Sequence, residues 1–263
     1  PWMDGVLKLN TNENPFGPSP KVLSAIEAQL GNQLRLYPPP NADLLKQAIA
    51  DYYGLKDSQI FLGNGSDEIL AHVFNGLLKK ALPLLFPDIT YSFYPVFCQL
   101  YDIDFEEIPL KDDLSIDLAN YEVPNGGIIF PNPNAPTGRL LAIGEIEYLL
   151  KANRNSVVVI DEAYIDFGGQ SSIGLLTDNP NLIVTQTMSK SRSMAGMRIG
   201  FALGSADLIE GLERVKNSFN SYPLGHLQIT AGISAIEDSD HFKDTCQRVI
   251  HNREKLTIDL EEL

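Results

Sequence analysis

Lys190 stands in the stretch Thr187-Met188-Ser189-Lys190-Ser191-Arg192-Ser193-Met194-Ala195-Gly196-Met197-Arg198. A lysine amine whose pKa is lowered by burial or by a cationic neighbour attacks an aldehyde. Flanking hydroxyls and an arginine fork suit a phosphate monoester. The set therefore describes a site for an aldehyde that also carries a phosphate. A Ser-Lys-Ser met alone reads first as a solvated surface loop, so the other chemistry-bearing stretches have to decide.

Four of these stretches follow short apolar runs. Gly65-Ser66-Asp67-Glu68 comes after Ile60-Phe61-Leu62; a glycine and a capping serine at a helix start turn free N–H groups and a positive dipole end toward one anion, or merely cap the helix. Pro131-Asn132-Pro133-Asn134-Ala135-Pro136-Thr137-Gly138 comes after Gly127-Ile128-Ile129-Phe130; such density of Pro and Asn fixes a loop and aims amides at a target, where a plain surface loop would rarely be so constrained. Asp161-Glu162-Ala163-Tyr164 comes after Val157-Val158-Val159-Ile160. A carboxylate in that position is partly buried and wants a cation, for which a pyridinium N–H would serve, or it merely caps the next segment. Tyr164 can donate to a phenolate oxygen beside it. Tyr91, after Leu84-Leu85-Phe86, is either a core aromatic or a ring that stacks on a flat ligand. Arg198 either completes the phosphate seat or forms a surface ion pair. With Thr187, Ser189 and Lys190 after Leu182-Ile183-Val184, the set holds a ring by its phosphate, its nitrogen, its phenolate and its aldehyde. That ring is pyridoxal 5'-phosphate.

The elements that must position these groups follow from the same runs. Those five runs and Ile199-Gly200-Phe201-Ala202-Leu203 read as six strands, apolar throughout and hence buried on both faces. Helical spacing marks 92–100, 144–152, 206–219 and 226–237, a helix from Ser66 to about 78, one from Ala42 to Tyr53, and one opened by Ser19-Pro20 and stopped by Gly31. The fold class is α/β, a mostly parallel central sheet flanked by helices, with ligands beyond the carboxyl ends of the strands. Residues 1–19 read as an N-terminal arm and 20–238 as one large domain. Residues 239–263 read as a connecting helix and the start of a truncated small C-terminal domain.

The chain of 263 residues has a net charge of −14 and no basic run, which argues against nucleic acid and anionic membranes as partners. Cys98 and Cys246 are far apart in apolar, helix-like stretches and read as buried free thiols, not as a disulfide framework or metal cluster. No run approaches the roughly 20 residues of a membrane span. No signal peptide is visible, so the cytoplasm is the expected location. Pro1 in place of Met suggests a missing start segment.

Six motifs carry a resemblance. They are Leu9-Asn10-Thr11-Asn12-Glu13-Asn14-Pro15-Phe16-Gly17, Tyr37-Pro38 with Asn41-Ala42, Gly63-Asn64-Gly65-Ser66-Asp67-Glu68, Asn132 to Gly138, Asp161-Glu162-Ala163-Tyr164-Ile165-Asp166-Phe167, and Thr187 to Ser193. Through them nearly the whole chain resembles the fold-type I pyridoxal-phosphate-dependent aminotransferases, and within these the histidinol-phosphate branch. The resemblance implies transamination of L-histidinol phosphate with 2-oxoglutarate in histidine biosynthesis. It makes Lys190 the residue that takes the cofactor aldehyde and later moves the substrate proton. Asp161 would pair with the ring nitrogen, Tyr164 and Asn134 with O3', and Tyr91 would stack on the ring. Gly65, Ser66, Asp67, Thr187, Ser189 and Arg198 would cradle the phosphate. Tyr37 would reach the phosphate of a neighbouring subunit, which implies a homodimer with shared sites. Two departures are visible: Ala135 replaces the Asn that many relatives carry before Pro-Thr-Gly, and no small-domain arginine for the donor carboxylate follows. An aromatic or broad-specificity aminotransferase, or an enzyme like threonine-phosphate decarboxylase, stays open on the same scaffold. So, more remotely, does a non-catalytic protein of that fold.

Overall fold

Alternation along each apolar run decides the architecture, because successive strand residues face opposite sides of a sheet. Ile128 and Phe130, Val158 and Ile160, and Leu182 and Val184 enter one core, while Ile129, Val159 and Ile183 enter a second. Both faces are thus covered. The computed structural model describes residues 8–262. It forms one seven-stranded sheet in the order β1-β7-β6-β5-β4-β2-β3. These strands are β1 (Ile60–Asn64), β2 (Leu84–Pro87), β3 (Phe105–Ile108), β4 (Gly127–Pro131), β5 (Val158–Asp161), β6 (Leu182–Thr187) and β7 (Ile199–Gly204). β2 to β6 run parallel, and β7 lies antiparallel between β1 and β6.

The helices are α1 (Pro20–Ala28), α2 (Asp43–Tyr53), α3 (Gly65–Val73), α4 (Tyr94–Tyr101), α5 (Ile143–Ala152), α6 (Ala206–Phe219), α7 (His226–Glu237) and α8 (Ser239–Glu261). The first core draws on α1, α2, α5 and α7, the second on α3, α4 and α6. Ser19 caps α1 by accepting the Lys21 N–H, with Pro20 at the first position. α8 is polar and buries only Thr245 and Cys246. Both cysteines are free and buried. No described helix is long and apolar enough to cross a membrane.

Four local expectations are corrected. β3 is a strand that the sequence does not announce, because Phe105, Glu106 and Glu107 are exposed on the sheet edge and only Ile108 is buried. Asn64, not Ser66, is the N-cap of α3, since Gly65 takes a positive φ of 82° and already starts the helix. That helix gives way to a wider π-helical turn over Phe74–Leu78. α1 ends at Ala28, short of Gly31, which precedes a 3-10 turn at Asn32–Arg35. Residues 1–7 of the expected arm lie outside the described residues.

Candidate active site

β5 and β6 end side by side, with Asp161 in register with Thr185. Asp161 ends an apolar strand and is therefore only 6% exposed. The Tyr94 hydroxyl donates to its Oδ2 at 3.3 Å and the Thr185 hydroxyl to its Oδ1 at 3.2 Å. Burial pushes the carboxyl up to about 6, against the pull of those two hydroxyls. Among the described residues it has no ion-pair partner. Glu162, next in the chain, turns away and accepts from Ser171 Oγ and the Ser172 N–H, both at 2.6 Å, and from Gln186 Nε2 at 2.9 Å. The Tyr53 hydroxyl donates to Gln186 Oε1 at 2.6 Å. This network ties the ends of β5 and β6 to α2 from behind.

Lys190 follows β6 and is fixed on both sides. Asn14 Nδ2 donates to its carbonyl at 2.9 Å, and Ser191 Oγ donates to Asp166 at 2.5 Å. The Arg192 guanidinium lies between the rings of Phe242, at 4.1 Å, and Tyr52, at 5.2 Å. The Lys190 amine sits 5.6 Å from the Tyr164 ring centre and donates to the carbonyls of Thr11 at 2.8 Å and Asn12 at 3.3 Å. Asn12 Nδ2 also donates to the Tyr164 hydroxyl at 3.1 Å. The arm therefore crosses the site and joins two of the expected residues.

The residues expected to seat an anion gather at the start of α3. A Cβ on Gly65 would run into the Arg198 guanidinium, and one on Gly200 would come within 2.5 Å of the Gly65 carbonyl carbon, so both positions require glycine. Arg198 Nη2 pairs with Asp67 Oδ2 at 3.0 Å. The Tyr91 hydroxyl donates to the other Asp67 oxygen at 3.3 Å. Ser66 is half-buried in the first turn. Thr187 and Ser189 are buried, with hydroxyl oxygens 2.9 Å apart, and the Ser189 N–H donates to Thr187 Oγ1 at 3.1 Å. Tyr91 meets Tyr94 edge-on at 5.6 Å, which joins this seat to Asp161 through Tyr94.

Two expected residues stand apart from this cluster within the chain. Asn134 is buried and its amide is spent, donating to Ile89 O at 2.9 Å and Thr137 Oγ1 at 3.1 Å, while its oxygen accepts from Thr90 at 3.0 Å. It holds the loop together. Both Asn132–Pro133 and Ala135–Pro136 are cis in that loop. Tyr37 is not brought to Lys190 or Gly65 within the chain; it is 82% exposed and packs on Tyr222 at 5.0 Å.

A cleft of about 840 Å³ opens over Lys190 and Tyr164, lined also by Asn12, Pro133, Gly168 and Arg253. Arg253 donates to Phe167 O at 2.8 Å, which holds its guanidinium at the rim. Tyr94, Thr185, Asn12 and Arg253 are site residues that the sequence reading misses. Only Thr185 and Asn12 carried a signal, one beside Thr187 and the other inside the Asn-rich arm motif.

The comparisons place the chain in a family. The family model "Aminotransferase class I and II" matches residues 4–263. A Pseudomonas fluorescens protein named histidinol-phosphate aminotransferase 1 is 61% identical over 261 residues, covering 99% of this chain and 75% of that protein. A Methylococcus capsulatus protein of the same name is 60% identical over the whole chain and 74% of its own length. Among solved structures, the histidinol-phosphate aminotransferase of Clostridium acetobutylicum superposes with a TM-score of 0.89 at 24% identity, over 98% of this chain and 77% of that one. That of Sinorhizobium meliloti, solved in complex with pyridoxal 5'-phosphate, gives 0.84 at 25% identity, over 94% and 68%. With a family match over nearly its whole length and relatives at this level of identity, the chain belongs to the class I and II aminotransferases.

Proposed function

We propose that the enzyme uses pyridoxal 5'-phosphate to move an amino group between L-histidinol phosphate and 2-oxoglutarate, giving imidazole acetol phosphate and glutamate. The substrate rests on the relatives at 60% and 61% identity that carry that name. The cofactor rests on one observation above all: Asp161 is a buried carboxylate with hydroxyl partners and, among the described residues, no cation. A pyridinium N–H fits that environment, as it would bring a positive partner to a charge that burial disfavours.

When bound, the cofactor supplies an electron sink for chemistry at the substrate carbon. Asp161 would accept the ring N–H and keep that nitrogen protonated. Tyr164 would donate its hydroxyl to O3'. Asn134, with both amide protons in use, is assigned to holding the loop beside the ring. Tyr91 would lie against the ring face. The phosphate would sit on the Gly65 and Ser66 backbone with Thr187, Ser189 and Arg198 around it, while Asp67 keeps the Arg198 fork in place. Lys190 Nζ would bind the aldehyde carbon and carry the proton between the substrate carbon and C4'. Arg253, the other cation on the cleft, gives an anionic end of the substrate a partner. Tyr37 would complete the phosphate seat of a second copy in a homodimer.

Protein loaded with pyridoxal 5'-phosphate is expected to absorb beyond about 400 nm, as a Lys adduct of this cofactor does, and to lose the band on borohydride reduction. Peptide mapping should then find the label on Lys190; label on another lysine refutes the site. Turnover assays on histidinol phosphate, phenylalanine and threonine phosphate test the substrate, and no reaction with the first refutes that assignment.

A further inference from the structure

Asn12 touches both proposed catalytic side chains at once. Its carbonyl accepts from Lys190 Nζ at 3.3 Å and its Nδ2 donates to the Tyr164 hydroxyl at 3.1 Å. It does so from a left-handed backbone, φ 52°, a conformation that asparagine tolerates better than most residues. That turn is what lets one residue offer its carbonyl and its amide to the same site. The flanking contacts hold it there: Thr11 O accepts from Lys190 Nζ at 2.8 Å, Asn14 Nδ2 donates to Lys190 O at 2.9 Å, and Phe16 lies 3.9 Å from the Arg248 guanidinium on α8.

A phenol oxygen that accepts a hydrogen bond still has its own proton to donate. With Asn12 as donor, the Tyr164 proton is turned away from the arm. Among the described residues Tyr164 donates to no protein acceptor. We propose that Asn12 is a positioning residue for the transamination. Its amide fixes the Tyr164 hydroxyl as a donor toward the cofactor O3', and its carbonyl steers the Lys190 amine. The inference rests on the cofactor reading given above.

A donor aimed at O3' stabilises the phenolate and makes it easier to remove the proton it shares with the nitrogen of Lys190. Loss of the donor should therefore raise the pH midpoint of the absorbance beyond about 400 nm. Other titratable groups around the pair are Glu13 and Lys8 on the arm, Asp161 and Asp166 on either side of Tyr164, Tyr91 after β2, and Arg253 on α8. None is altered by the substitution chosen. Asn12→Gly keeps the left-handed backbone and the carbonyl and removes only the amide.

The test is a pH titration of the visible band in four proteins loaded with pyridoxal 5'-phosphate: wild type, Asn12→Gly, Tyr164→Phe and the double variant. Asn12→Gly is expected to raise the midpoint by about half a pH unit, in the same direction as Tyr164→Phe but less. The double variant should titrate like Tyr164→Phe alone, because both changes act through one hydroxyl. A midpoint unmoved in Asn12→Gly while Tyr164→Phe shifts it overturns the role of Asn12 and leaves the cofactor reading intact. So does a double variant in which the two shifts add. Wild type that gives no coloured band overturns the cofactor reading, and this inference with it.

Discussion

Burial pushes the Asp161 carboxyl up to about 6, against hydrogen bonds from Thr185 and Tyr94 that pull it down. A carboxyl raised in the folded protein holds a proton there that the unfolded chain has already lost. Its ionisation therefore costs stability that is absent below the usual carboxylate pKa and fully felt above about 6. The cost at neutral pH is about 2–3 kcal/mol. Asn at this position keeps the shape and removes the charge. Asp161→Asn, free of cofactor, should melt several degrees above wild type at pH near 7, and the gap should close toward pH 4 and below. The same variant should bind pyridoxal 5'-phosphate at least tenfold more weakly, since the ring nitrogen loses its anionic partner. Calorimetry across pH and a fluorescence titration of cofactor check the two halves. An Asn variant that is no more stable, or that binds as tightly, removes Asp161 from its proposed role. The opposition of stability and binding at one residue is characteristic of a group kept for function.

At the scale of elements, the proposed phosphate seat depends on how closely β7 approaches the start of α3. A Cβ on Gly200 would lie 2.5 Å from the Gly65 carbonyl carbon and 2.6 Å from the Ser66 nitrogen, both backbone atoms that cannot swing aside. Gly200→Ala should cost about 1–3 kcal/mol by overpacking and weaken phosphate binding, as α3 is forced away from Arg198. Gly211→Ala is the contrast. Gly211 lies inside α6 with only Leu77 Cδ2 at an ordinary 3.5 Å, so alanine there should be neutral or stabilising by about 0.5–1 kcal/mol. Equal effects of the two in thermal melts would show that the β7–α3 junction is not tight. This junction marks the limit of what the sequence discloses. The doubly buried runs announced β1, β2 and β4 to β7, and with them the strand ends that carry Asp161, Lys190 and Gly65. β3 stayed hidden because an edge strand needs no apolar alternation. The partners of the site residues stayed hidden for another reason: Tyr94 lies 67 positions from Asp161, and Asn12 lies 152 from Tyr164. Tertiary packing alone brings such residues together.

On the whole molecule, one exposed apolar surface lies close to the proposed site. Leu30, Leu34 and Leu36 are exposed between α1 and α2, together with Tyr37, while Phe219 and Tyr222 are exposed at and beyond the end of α6, with Tyr37 and Tyr222 in contact. A cleft of about 420 Å³ beside it is lined by Leu34, Leu36, Pro38, Met197, Arg198 and His226, so this surface reaches the residue assigned to the phosphate. Exposed aromatic and aliphatic side chains grouped in this way mark a surface for another protein. A second copy that covers it would carry its Tyr37 toward Arg198, as the proposed homodimer requires. Because each site would then draw on two chains, variants with different defects should rescue one another. Lys190→Ala cannot take the borohydride label, and Tyr37→Ala should take little, for want of a phosphate partner. In a two-fold dimer made by equal co-expression, half the molecules are hybrids, and each hybrid has one site with both residues intact. Label should therefore return on the Tyr37→Ala chains to about a quarter of the wild-type level over all sites. Recovery no greater than that of Tyr37→Ala alone would place Tyr37 outside the neighbouring site, whatever the sedimentation mass turns out to be.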